Sequence, residues 1–302
     1  MARNITRLFS VAVFFVTLFF SDGCRRPSSE SPPSNPVTPP QRIISTAPSI
    51  TETLFSLKLE DRLIGVSRFC KYPAAAQNIP KVGGFLDPDY ETMLRLKPDV
   101  VILLKESTAV REKLESLGVT CLAVDHRSIE GIMASFRQIA DYCGVSPQGE
   151  ELLTNIQSRL DLIRTKTADR ASAQRLPPRV LLTLRMEPER NIRTVTAAGS
   201  NPFFQKVLEL AGAKNALENP RTPFPVISRE GIYELNPDAV IDLASGETGF
   251  SEAAFQQGWQ DFGEELNAVR DGRIYLITED YAMIPGPRFI LLIERLAELL
   301  DE

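Results

Sequence analysis

From Arg42 onward the apolar positions of the chain follow two alternating rhythms. Short apolar, β-branched runs, "RIIST", "RLIGVS", "DVVILL" and "VTCLAV", read as buried strands. Between them apolar residues recur at helical spacing. "APSITETLFSL" places Ile50, Leu54 and Leu57 on one stripe and offers Ser49 as its cap. "DYETMLRL" is a short helix stopped by Pro98. "TAVREKLESLG" closes on Gly118, and "IEGIMASFRQIADYCG" is a further helix. Strands separated by helices predict a parallel sheet with crossover connections.

The rhythm then changes. Ser146-Pro147 reads as an N-cap and first-turn pair. Behind it Leu153, Ile156, Leu160 and Ile163 form one apolar stripe. The pattern predicts a helix to about Ala171, roughly 35 Å long. After "ASAQRLPP" the alternation restarts with the strand "RVLLTL" and the helix "NPFFQKVLELAG", then reaches "GIYELNPDAVIDL". It closes with the strand "RIYLIT" and the helix "PRFILLIERLAELL". The pattern divides the folded chain into an α/β lobe (42–145), a bridging helix (146–172) and a second α/β lobe (173–302).

One unit occurs in both lobes. "YETMLRLKPDVVI" (90–102) aligns without a gap on "REGIYELNPDAVI" (229–241). Leu-x-Pro-Asp followed by apolar residues suits a helix stop feeding a parallel strand. The repetition implies related lobes. Each copy also opens with a glutamate, Glu91 and Glu230, ahead of its helix's apolar face. A helix dipole favours an acid at either place singly. It gives no reason for the same acid at the same point of both lobes.

The N-terminus follows another pattern. Arg3 and Arg7 precede the apolar run from Leu8 to Phe20. That run is shorter than the ~20 residues of a bilayer-spanning helix and behaves as an export signal. Gly23-Cys24 follows, then the Pro/Ser-rich stretch "RRPSSESPPSNPVTPPQ". We read 1–23 as a lipoprotein signal, Cys24 as the residue lipidated after cleavage, and 24–41 as an extended tether. A plain signal cut near Gly23 is the alternative. Export permits disulfides. The remaining Cys70, Cys121 and Cys143 are odd in number and match no zinc spacing, and Cys121 lies in an apolar run.

The formal net charge of −5 argues against a nucleic-acid partner. Gly-x-Ser-x-Gly, Walker and Gly-x-Gly-x-x-Gly motifs are absent from the sequence. The single histidine, His126, follows "CLAV" and is either a metal-coordinating imidazole or a polar group at a helix start. Arg185, after "LLTL", is either a fork for an anionic chelate or a solvated loop arginine. Tyr72, before Pro73, reads as a packing residue. Ligands of open α/β sheets collect beyond the carboxyl ends of the strands. Phe69, Phe85, Phe224, Asp280 and Tyr281 all fall at such ends, a lining suited to a large, partly flat ligand.

These segments in this order resemble the periplasmic-binding-protein family of cobalamin, ferric-siderophore and haem importers, most closely its cobalamin-binding members. The resemblance covers 42–302 and is carried by "RIISTAPSITETLF", "GVSRFCKYPAAAQNIPKVGGFLDPDYETMLRLKPDVVI", "FPVISREGIYELNPDAVI" and "PRFILLIERLAELL". It implies two Rossmann-like α/β lobes joined by one rigid helix, with ligand in the cleft. It implies a non-enzymatic lipoprotein that captures a corrinoid outside the cytoplasm, or else a ferric chelate or haem. It implies no cofactor and no metal site of the protein's own, and delivery to an ABC permease dimer with its ATPase. By resemblance Phe69, Phe85 and Phe224 are aromatic ligand contacts and Asp280 an acidic one, while Glu91 and Glu230 pair with permease arginines. Leu104 and Thr196 stand where the cobalamin binders carry aromatic contacts, and Ile284 where they carry a basic one. An exported sensing or adhesion module on the same fold is a competing reading, and an enzyme a further one.

Overall fold

The computed structural model describes residues 38–172, 176–185, 192–244 and 252–301. The signal segment, Cys24 and the tether up to residue 37 lie outside the described residues.

The first lobe runs β1 (Ile43–Ser45), α1 (Pro48–Ser56), β2 (Leu63–Val66), α2 (Tyr90–Arg95), β3 (Val100–Leu104), α3 (Thr108–Ser116), β4 (Cys121–Val124) and α4 (Ile129–Tyr142). Its four strands are parallel in the order β2-β1-β3-β4. Successive side chains of a strand face opposite ways. Ile43, Val100 and Ile102 therefore join Ile50, Leu54 and Ile139 of the helices on one face. Ile44, Val101 and Leu103 meet Met93 and Leu114 on the other. Burial on both faces explains why these strands read as unbroken apolar runs.

The bridging helix α5 is Ser146–Ser172, 27 residues and so about 40 Å. Its stripe of Leu153, Ile156, Leu160 and Ile163 is buried. It packs with Phe136 of α4 and with residues of the second lobe's helices in one continuous core. Arg159 adds a forked ion pair to Glu294, its Nε donating at 2.8 Å. One helix thus shares its buried face with both lobes.

The second lobe contains β5 (Arg179–Arg185), β6 (Thr194–Ala197), α6 (Pro202–Leu210), β7 (Lys214–Asn215), β8 (Val226–Ser228), α7 (Arg229–Leu235), β9 (Ala239–Ala244), α8 (Glu252–Gln260), α9 (Asn267–Arg270), β10 (Ile274–Ile277) and α10 (Phe289–Leu299). The strand order is β10-β9-β5-β6-β8, with β7 beside β5. Here the structure departs from the all-parallel expectation, because β6 runs antiparallel to β5 and β8 antiparallel to β6. Two caps also differ from the sequence reading. Ala47 caps α1, with Pro48 opening the helix, and Ser49 is turned to another partner. Ser146 is itself the first residue of α5, and its hydroxyl donates to Asp141.

The repeated units fold alike down to single bonds. Asp89 and Ser228 cap α2 and α7, accepting from Thr92 N at 2.9 Å and Gly231 N at 3.2 Å. The helices end on Lys97 and Asn236, both left-handed, with φ of 47° and 36°. Asp99 then accepts from Arg42 N at 2.9 Å, and Asp238 from Arg179 N at 2.8 Å. Each of those arginines returns a hydrogen bond to the carbonyl of the left-handed residue. Leu-x-Pro-Asp is therefore a helix stop whose aspartate pins the start of the neighbouring strand.

Candidate functional site

The carboxyl end of β2 leads into the long connection to α2, and two turns of that connection carry Phe69 and Phe85. Arg68 N donates to Gly83 O at 2.9 Å, joining the two turns. Arg68 also grips Asp87, donating to Oδ2 at 2.7 Å, and lies over the Phe69 ring with its Cζ 5.2 Å from the centroid. A Cβ on Gly84 would stand 2.8 Å from both Phe69 Cε2 and Asp87 Oδ1, so a larger residue there would push one of these side chains aside. Phe69 and Phe85 remain 52% and 50% exposed, and Leu86 at the loop tip 90%.

The second lobe supplies Phe224, 45% exposed and edge-on to Phe204. Its loop is laced to the chain after β6: Gly199 N donates to Pro223 O at 2.8 Å and Ser200 N to Thr222 O at 2.9 Å. A Cβ on Gly199 would lie 2.3 Å from Thr222 O, a place only glycine fits. Three large rings are thus held half in water on loops of both lobes, where burial would otherwise be favoured.

Asp280 and Tyr281 follow β10 and behave differently from each other. The Asp280 carboxylate is half exposed and accepts from Arg288 Nη1 at 2.7 Å and Nη2 at 3.1 Å. The guanidinium holds its carboxyl below the usual range. Tyr281 packs against the core, and burial raises its phenol. Leu104 also packs into a core, Thr196 lies within β6, and Ile284 is half-buried.

Arg288 and Glu52, which sequence reasoning passed over, join Asp280 to the first lobe. Arg288 donates to Glu52 of α1 at 2.9 and 2.6 Å and lies over the Tyr72 ring at 3.7 Å. Burial raises the Glu52 carboxyl, and Arg288 offsets part of that rise. Glu52 was visible as a lone acid among the apolar residues of "ITETLF". Its partner stands 236 positions away, and no local pattern links them.

His126 is buried, 3% exposed, between two hydroxyls. The Ser135 hydroxyl donates to Ile132 O at 2.6 Å, so it accepts from Nε2–H at 2.7 Å. Nδ1 then accepts from Ser49 at 2.8 Å. Burial pushes the imidazole down to about 4, and both nitrogens are occupied. The structure therefore answers the metal-coordination alternative against His126. The side chain of Arg185 lies outside the described residues. Cys70, Cys121 and Cys143 are buried free thiols, the last two raised to about 12 by burial. Among the described residues no cluster of His, Cys, Asp and Glu is placed to hold a metal ion. Glu91 and Glu230 are exposed, each the second residue of its helix. The Glu230 carboxyl is lowered by its own backbone N–H and the Ser228 hydroxyl.

Two α/β lobes bridged by one helix, with open aromatic loops at the strand ends, define a two-lobed ligand-binding protein. The chain belongs to the periplasmic binding protein family, whose model matches residues 43–281. It is a binding protein and not an enzyme. It is 26% identical over 265 residues to the vitamin B12-binding protein of Pectobacterium atrosepticum, covering 87% of this chain and 89% of the relative. It is 28% identical over 264 residues to the uncharacterized ABC transporter substrate-binding lipoprotein YvrC of Bacillus subtilis, covering 86% and 79%. Among solved structures, the periplasmic vitamin B12 binding protein BtuF of Vibrio cholerae superposes with a TM-score of 0.73 at 25% identity, covering 87% of this chain and 98% of that one. A periplasmic haem-binding protein of Pseudomonas aeruginosa gives 0.72 at 26% identity, covering 85% and 91%.

Proposed function

We propose that this protein is the extracytoplasmic substrate-binding lipoprotein of an ABC importer, and that it captures a corrinoid between its lobes. The observation that carries the reading is the set of half-exposed rings, Phe69 and Phe85 on one lobe and Phe224 on the other. Solvated phenylalanines on loops pinned by hydrogen bonds suit a broad, partly flat ligand that covers them. The vitamin B12-binding relatives support the corrinoid. The haem-binding neighbours support a second reading, haem or another iron chelate. The enclosure of the only histidine removes imidazole as an axial ligand, so the haem reading would need another donor such as tyrosinate. A cobalamin brings its own axial ligands. Glu91 and Glu230 dock on a permease dimer served by an ATPase, and Cys24 holds the protein to the membrane through lipid. A lipoprotein among the relatives supports the anchor.

The test is direct. Protein produced without residues 1–37 is mixed with cyanocobalamin, dicyanocobinamide, haemin and ferric chelates, then desalted and read by absorbance. Corrinoid colour should leave with the protein in equal amount. Colour from haemin alone would replace the first reading by the second, and no colour would overturn both. Lipid on Cys24 is checked separately by mass spectrometry of the membrane-purified protein. An unmodified thiol there would remove the anchor.

A further inference from the structure

One guanidinium joins three groups drawn from both lobes. Arg288, just ahead of α10, has a side chain 15% exposed, and Glu52 one 2% exposed. Nε and Nη2 of Arg288 donate to the two Glu52 oxygens at 2.9 and 2.6 Å. The other edge of the fork takes both oxygens of Asp280, at 2.7 and 3.1 Å. The Tyr72 ring lies against the guanidinium face, 3.7 Å from Cζ. The backbones of the lobes meet at the same place, since a Cβ on Gly286 would sit 3.1 Å from Ser49 Cα and 3.3 Å from Glu52 Oε2.

A buried carboxylate must be paired, and Arg288 is the cation that meets Glu52. Two parallel hydrogen bonds fix the plane of the fork. That plane then dictates where Asp280 and Tyr72 stand. Of the two carboxylates only Asp280 reaches water, with 52% of its side chain exposed. The cluster holds two carboxylates and one guanidinium, so it carries one net negative charge. Its open edge offers acceptor lone pairs to a donor and repels an anion.

We propose that the Glu52–Arg288–Asp280 cluster is the specificity determinant of the cleft, selecting a flat ligand edged with carboxamides over one edged with carboxylates. Arg288 is the positioning residue, and it turns Tyr72 from packing into part of the ligand wall. This rests on the reading of the cleft as a corrinoid site and adds how the ligand's rim is chosen.

Two arms test it on the full-length protein. In the first, calorimetry compares amide-edged dicyanocobinamide with carboxylate-edged cobyrinic acid, which share the corrin ring. Wild type should prefer the amide edge by roughly tenfold or more. Asp280→Asn should shrink that ratio several-fold. Arg288→Met should weaken the amide-edged ligand by about tenfold, and Arg288→Lys should not restore it, because charge without the fork does not hold Asp280. An equal preference in wild type, or a ratio unmoved by Asp280→Asn, overturns the selection. The second arm needs no ligand. Amide hydrogen exchange in 69–73 and 278–284 should accelerate in Arg288→Met, and in Glu52→Gln, which is nearly isosteric and keeps the test alive if the first variant folds poorly. Unchanged exchange in both overturns the positioning role. Absence of any corrinoid binding by wild type would instead overturn the corrinoid reading and the selection with it, while the exchange arm still judges Arg288.

Discussion

His126 and Gly199 are fixed by their immediate neighbours: two serine hydroxyls hold the imidazole, and backbone closes over the glycine. The imidazole is neutral in the fold, held at about 4, against an ordinary 6.5 once unfolded. The unfolded chain therefore binds more protons between these values, and folding stability falls as pH drops from about 6.5 to 4. The loss attributable to this one group reaches about 3 kcal/mol and levels off as pH falls below the folded value of about 4. Urea unfolding of wild type and His126→Asn at pH 7 and pH 4.5 should show the wild type losing more, and equal losses would contradict the assignment. Gly199→Ala should cost about 1–3 kcal/mol, because its Cβ would meet backbone. The place of Phe69 was legible in the sequence, since it follows a strand that its apolar run made plain, whereas Phe224 stands ahead of β8, a strand with no such run. The pairing of Arg288 with Glu52 was not legible, because 236 positions separate them and only the fold brings them together. Ser49 misled for a related reason: a serine near a helix start reads as a cap, but a buried histidine claims its hydroxyl.

Among the elements, the Leu-x-Pro-Asp unit gives the clearest case of pattern determining geometry. The Asp238 bond to Arg179 N is partly buried, whereas that of Asp99 to Arg42 N is exposed. Asp238→Ala should therefore cost about 1–3 kcal/mol in urea unfolding and Asp99→Ala less, since an exposed N–H is rehydrated. A larger effect at Asp99 would contradict this account. Lys97 pays for its left-handed turn, and Lys97→Gly should raise stability by up to about 1 kcal/mol. The strands of the first lobe and the stripe of α5 were legible because each keeps one period over its whole length. β6 and β8 were not. "TVTA" and "VIS" are short and half polar, and they form an antiparallel edge that a reading built on strand–helix alternation does not anticipate.

At the scale of the whole molecule, the repeat gives each lobe an exposed acid at the head of a matching helix, Glu91 on α2 and Glu230 on α7. Exposed acids add little to stability, but two matching contacts from a monomer suit the two-fold symmetry of a permease dimer. Glu91→Arg combined with Glu230→Arg should leave melting and corrinoid affinity nearly unchanged. Uptake in cells should fall at least about tenfold, each single change giving a partial loss. Normal uptake by the correctly localised double variant would reduce the repeat to shared folding. The central claim, that the exposed rings of the two lobes clasp a corrinoid, is tested most directly by titrating cyanocobalamin into wild type and into Phe85→Ala combined with Phe224→Ala. The account predicts one site per chain in wild type and affinity weakened by a few kcal/mol, about a hundredfold, in the variant. Equal affinity in the two proteins, or no heat of binding in wild type, would contradict it.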